Sequence, residues 1–186
     1  MTVSNLHYKR SNVLYINVVR DPIDRFVSAF YFAQNGDVSG IGPHKTNETN
    51  ITIDEYVKKS LDLHEDIRRP LSYFFLSDAS EDEERNVQIA KRNIEKYFSL
   101  VGISEQMDHV TILLQKLFPD LLSGLNNIYR NKNAKMAKAT STIGKVPPSP
   151  ETVAILKNKL RHDYDLYEYI KKRFYDLRNQ FRRKTP

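Results

Sequence analysis

Arg20-Asp21-Pro22, followed by Arg25 and Ser28, brings two guanidiniums, a carboxylate and a hydroxyl together directly after the apolar run VLYINVV at 13–19. A guanidinium offers a planar fork of donors matched to the oxygens of a phosphate. A helix that starts at Pro22 adds free backbone N–H groups and partial positive charge at its first turn. Ser28 lies two helical turns past Asp21 on the same face, so its hydroxyl could reach the same anion. The spacing also suits a plain helix start, with Asp21 as N-cap, Pro22 as first helical residue and Arg25 paired to Asp21. On the residues alone both readings stand.

The first reading needs a strand that ends at Arg20 and a helix that begins at Pro22. VLYINVV is apolar and β-branched, which predicts a strand buried on both faces, as in a parallel sheet. In PIDRFVSAFYFAQ (22–34), Ile23, Phe26, Val27, Phe30 and Tyr31 recur at helical spacing, and Asn35-Gly36 stops the helix. A short helix capped by Thr52 is expected over 52–61, a strand or buried loop over PLSYFFL (70–76), and a helix over 85–98 after the exposed acidic run SDASEDEE (77–84). SLVGI (99–103) reads as a second buried strand. Ser104 is expected to cap a helix over 105–118 with Met107, Val110, Ile112–Leu114 and Leu117 on its apolar face. Residues 126–148 read as a long basic loop, a length that in compact domains tends to carry function. Ser149-Pro150 then starts a C-terminal helix over about 149–181, with a break near His162. The expected fold class is α/β, a small parallel sheet flanked by helices in one domain over 1–186.

Composition narrows the partners. The chain of 186 residues has a formal net charge of +6, which favours an anionic partner. It has no cysteine, so disulfides, thiolate catalysis and Cys-based zinc sites are excluded. The five histidines are scattered, and no metal site is expected. No apolar run is long enough to span a membrane. NETNIT carries two adjacent glycosylation sequons, at Asn47 and Asn50, which favours a secretory lumen. Tyr164 and Tyr167 in HDYDLYEY are expected to form a packed helix face rather than a stacking platform.

VVRDPIDRFVSAFYF resembles the 3′-phosphate-binding motif of sulfotransferases. The wider segment YINVVRDPIDRFVSAFYFAQNGD, then AKRNIEKYFSLVGISEQMDHVTILLQKLFP, IYR with the basic loop, and the long C-terminal helix are similar to the heparan sulfate 2-O- and uronyl 2-O-sulfotransferases over about residues 13 to 178. The resemblance implies a P-loop-like α/β fold. It also implies transfer of a sulfuryl group from 3′-phosphoadenosine 5′-phosphosulfate (PAPS) to the 2-hydroxyl of a uronic acid in heparan or chondroitin/dermatan sulfate, without a metal. By position, Arg20 and Ser28 would bind the cofactor's 3′-phosphate. A later cofactor loop would fall around Tyr129 to Lys145, with Lys138 and Thr140 as a basic residue and a hydroxyl that contact the cofactor. The implied setting is the Golgi lumen, as a type II membrane glycoprotein anchored by a segment absent from this chain, with a sulfated glycosaminoglycan as acceptor. Homo-oligomerisation is left open.

The sequence also departs from the family pattern. The family's Pro-Lys-Thr-Gly-like phosphosulfate loop, its lysine and the first strand are not found, and the position of the family's catalytic histidine corresponds to about Thr2. His7 does not match it, so no catalytic residue is identified and this chain alone is expected to be inactive. The missing strand would leave an apolar edge at VLYINVV. A family cysteine pair is represented by Leu76 and Asp82. Only His44 and Lys45 stand in the loop where heparan enzymes carry several arginines. A competing expectation is a non-catalytic module that binds glycosaminoglycan through the basic loop and the final Arg-Arg-Lys. A nucleic-acid partner has only net charge behind it and is not expected.

Overall fold

Two parallel strands form the sheet of this computed structural model, which describes residues 13–36, 51–59, 69–131, 142 and 144–183. Strand β1 (Tyr15–Val19) pairs with β2 (Phe98–Ile103), and the register runs from Tyr15 opposite Phe98 to Val19 opposite Ile103, with an irregularity between Tyr15 and Ile16. The described helices are α1 (Pro22–Asn35), α2 (Ile53–Lys59), α3 (Glu83–Tyr97), α4 (Met107–Leu117), α5 (Pro119–Leu122), α6 (residues 125–131), α7 (Pro150–Lys159) and α8 (Arg161–Arg183). The fold is therefore mixed α/β, mostly helical around a small parallel sheet, consistent with the P-loop-like class that the sequence implied.

The chain divides into two compact units. One comprises Met1–Asp21, Pro70–Asn127 and His162–Pro186; the other comprises Pro22–Arg69 and Ile128–Arg161. The first holds the sheet. Its core joins Val19, Leu100, Val101 and Ile103 of the strands to Ala90 and Ile94 of α3, Val110 and Leu113 of α4, and Leu166, Ile170 and Phe174 of α8. Gly102 lets α4 lie close to β2. A Cβ there would stand 2.5 Å from Val110 Cγ2, nearer than packed atoms approach.

Local chemistry sets the element ends in this unit. Asp82 caps α3 by accepting the Arg85 N–H, so one of the two positions that the family gives to cysteines serves here as a helix cap. Leu76, at the other position, packs against the core.

The second unit is helical among its described residues. Ile23, Phe26, Val27, Phe30 and Tyr31 of α1 are all buried, as their spacing predicts. The Phe30 and Tyr56 rings lie 5.1 Å apart, and Phe26 is 6.4 Å from Tyr56. Gly36 (φ 68°) ends α1, its N–H bonded to the Phe32 carbonyl. Thr52 and Glu55 exchange bonds at the start of α2, each side chain accepting the other's N–H. Ser149 accepts the Thr152 N–H at the start of α7, with Pro150 as first helical residue. Leu160 breaks α7 from α8.

Four expectations are corrected. Strand β1 is not buried on both faces: Val13 is 56% exposed, Tyr15 48%, Ile16 38% and Val18 38%, against 5% for Val19. Among the described residues it has a single strand neighbour. PLSYFFL is neither strand nor loop but a 3₁₀ helix at Leu71–Phe75, held by the Leu71 N–H donating to the buried Asp163 carboxylate at 2.7 Å. Ser104 does not cap α4; it opens a 3₁₀ turn with no side-chain capping bond, and α4 starts at Met107. The basic loop begins later than expected, because residues 125–131 are helical.

Candidate functional site

The register places Val19 opposite Ile103, so Arg20 and Ser104 leave the sheet together at its carboxyl edge, where open α/β sheets take ligands. Glu105 follows Ser104 and ties this edge together. One of its oxygens accepts the Asp21 N–H at 2.8 Å, and the other accepts the Tyr167 hydroxyl at 3.3 Å. The Asp21 carboxylate accepts the Tyr164 hydroxyl at 3.1 and 3.2 Å. Backbone and side chain of the residue after Arg20 are thus both pinned, which fixes the point from which the half-buried Arg20 projects.

The two tyrosines meet edge to face, 6.4 Å between centroids at 89°, which agrees with the packed helix face read from their spacing. Burial, reinforced by the negative charges of Glu105 and Asp21, pushes the Tyr167 phenol well above its ordinary range. It therefore remains a proton donor to Glu105 throughout the physiological range. What this edge offers chemically is a cation on a rigid base, with two carboxylates whose nearby bonds are already taken by backbone and phenol.

In the helical unit, Ser28 sits half-buried on α1, its Oγ 3.3 Å from Thr142 Oγ1. Two hydroxyls at this distance can each give a proton to an oxygen of one anion or accept from one another. Gly144 (φ 66°) turns the chain just after Thr142, and a Cβ there would stand 3.2 Å from Asn35 Nδ2 of α1. Arg25 Nη2 donates to the Arg69 carbonyl at 2.8 Å.

Thr142 falls inside the 129–145 segment where a later cofactor loop was expected, but sequence reasoning chose Lys138 and Thr140. Those two, like Asn47 and Asn50, lie outside the described residues. The signal that could have found Thr142 is the run Thr140-Ser141-Thr142, three hydroxyls in a row beside the basic cluster. Among the described residues no group of three or more His, Asp or Glu is placed to hold a metal ion, and no helix is long and apolar enough to cross a membrane.

A family model described as "Sulfotransferase family" matches residues 1–170. The chain belongs to the sulfotransferase family. Within it, this sulfotransferase-family chain is 31% identical to the human uronyl 2-sulfotransferase over 183 residues, 90% of this chain and 44% of that protein. It is 34% identical to the heparin sulfate O-sulfotransferase of Drosophila melanogaster over 171 residues, 87% and 48% of the two chains. It is 30% identical to heparan sulfate 2-O-sulfotransferase 1 of Xenopus laevis over 174 residues, 89% and 48%. The chain spans about half the length of the curated relatives it matches.

Proposed function

We propose that this protein acts in sulfuryl transfer from PAPS to the 2-hydroxyl of a uronic acid in heparan or chondroitin/dermatan sulfate. The observation that carries the proposal is the strand-to-helix motif itself. Arg20 stands at the carboxyl edge of a parallel sheet on a pinned backbone, and Ser28 follows on the helix with its hydroxyl beside Thr142. The printed names of the relatives supply the acceptor class.

The residues present fit the ribose-phosphate end of such a cofactor. PAPS, when bound, supplies the activated sulfuryl group. Arg20 forks onto the 3′-phosphate and offsets its charge. Ser28 donates its hydroxyl to a phosphate oxygen, and Thr142 orients that hydroxyl or donates a second. Lys138 and Thr140 complete the cofactor contacts in the same reading. Asp21, Glu105, Tyr164 and Tyr167 hold the edge at which Arg20 stands. No described residue is assigned as the base that takes the acceptor proton. The setting proposed is the Golgi lumen, with Asn47 and Asn50 glycosylated.

Calorimetry with 3′-phosphoadenosine 5′-phosphate tests the cofactor half. The wild type is expected to bind, and Arg20→Ala to bind roughly ten- to a hundredfold more weakly, the scale of a lost charged hydrogen bond. Wild-type protein that is folded and does not bind the nucleotide would sink the reading. A sulfate-transfer assay on desulfated heparan and chondroitin chains then decides catalysis and acceptor.

A further inference from the structure

Charge is unevenly divided along α8. Residues 161–170 carry one arginine and three carboxylates, whereas residues 171–183 carry six cations (Lys171, Lys172, Arg173, Arg178, Arg182 and Arg183) against the single Asp176. Cations in a last turn complement the helix dipole, which accounts for Arg182 and Arg183. Lys171 and Arg178 lie further back, beyond that effect.

Helical spacing puts Lys171, Tyr175, Arg178 and Arg182 on one face, at i, i+4, i+7 and i+11. The same face carries Tyr164 seven residues before Lys171, and Tyr164 bonds Asp21 at the carboxyl edge of the sheet. Glu168 lies on this face between them, so the cations begin at Lys171 and run about 16 Å along the helix to Arg182.

Two of its cations lie over rings. The Arg178 guanidinium lies 4.8 Å over the Tyr175 ring, and Lys171 Nζ lies 5.6 Å over the Tyr167 ring. Stacking holds the guanidinium plane, so its N–H edges are set before any anion arrives. Arg178 Nε is buried and has no hydrogen-bond partner among the described residues. Lys171 has one carboxylate, Glu168, at 3.2 Å and keeps a side chain 37% exposed.

We infer that this stripe is a binding track for a sulfated polysaccharide chain along the C-terminal half of α8. The inference rests on the acceptor class proposed above but not on cofactor binding. An extended polyanion presents anionic groups at repeated intervals, as the stripe presents cations. A single-stranded nucleic acid would need aromatic faces open for base stacking. Here the Tyr175 and Tyr167 rings each have a cation over them, which favours the sulfated sugar.

The test uses the full chain and a heparin-derived octasaccharide in calorimetry, with 3′-phosphoadenosine 5′-phosphate titrated in parallel. The variant Lys171→Ala/Arg178→Ala/Arg182→Ala is expected to lose about tenfold or more in octasaccharide affinity, from three partly exposed ionic contacts, with nucleotide binding unchanged. A control of equal charge loss elsewhere, Arg85→Ala/Lys116→Ala/Lys157→Ala, is expected to lose less than about threefold. Equal losses in the two variants, or none in the first, would overturn the track while leaving the cofactor reading intact. A single-stranded DNA of matched charge that displaces the octasaccharide at equal concentration would overturn the sulfated-sugar assignment. Absence of nucleotide binding, with the octasaccharide contrast as expected, would support the track and count against the cofactor reading alone.

Discussion

In the sheet-bearing unit, Ala90, Ile94, Leu100, Val110 and Leu166 are completely shielded from solvent and come from four elements, three of them consecutive and the last remote in sequence. In the helical unit, Phe30, Ile53 and Leu156 are as deeply buried, and polar bonds tie the helix starts together around them. Asp54 of α2 accepts the Ser149 N–H at the start of α7 at 2.9 Å, and Lys58 pairs with Glu151 at 2.9 Å. Both units bury apolar side chains, but the second adds helix starts tied to carboxylates at its surface. The difference also divides the motif: Arg20 belongs to the first unit and Ser28 to the second. The arginine thus stands beside the sheet, and the serine on a buried-faced helix in the unit that also joins helix starts through titratable groups.

The contrast is broken most directly by core truncation. Ile94→Ala is expected to cost about 2–5 kcal/mol, because it removes packed methyl groups and leaves a cavity that neighbours from α4, α8 and β2 only partly fill. Urea denaturation followed by circular dichroism measures it. Ser149→Ala should cost about 1 kcal/mol, the scale of a lost N-cap, in the same experiment. Equal costs for the two substitutions would remove the distinction drawn here.

The smallest effect is acid sensitivity of the helical unit. Hydrogen bonds from the Thr152 side chain and the Ser149 N–H, with the charge of Lys58 nearby, hold the Asp54 carboxyl below its ordinary value. A depressed folded value means that the stabilisation is present above the unfolded value and is lost as pH falls through the folded one. Glu55 moves in the same direction through its bonds with Thr52. Thermal melts from pH 6 down to pH 3 should therefore show a falling Tm, with a shallower fall in Asp54→Asn. An unchanged slope in that variant would remove Asp54 from the account.

Elements with a strong period were legible in the sequence. The five apolar positions of α1 and the Gly36 stop follow from spacing and backbone freedom, and the structure shows them as read. What escaped was set by partners far along the chain. Leu71–Phe75 turns as a 3₁₀ helix under a bond to Asp163, 92 residues away, which no local pattern announces. Glu105 and Tyr164 meet at Asp21, and Tyr167 at Glu105, for the same reason: their roles exist only once β1, β2 and α8 have assembled. Arg20 and Ser28 were singled out because they travel together in a short motif. Thr142 was missed because its meeting with Ser28 spans 114 residues and its own segment has no period.

The exposure of β1 bears on how the protein behaves in a tube. Tyr15, Ile16 and Val18 present a water-facing apolar ribbon that invites aggregation in concentrated stocks. One residue works against that. The Asn17 side-chain oxygen takes the Val18 N–H at 2.8 Å, so that amide is already engaged and the ribbon carries a polar interruption at its middle. Colloidal behaviour, rather than folding stability, is where a change at Asn17 would be felt first.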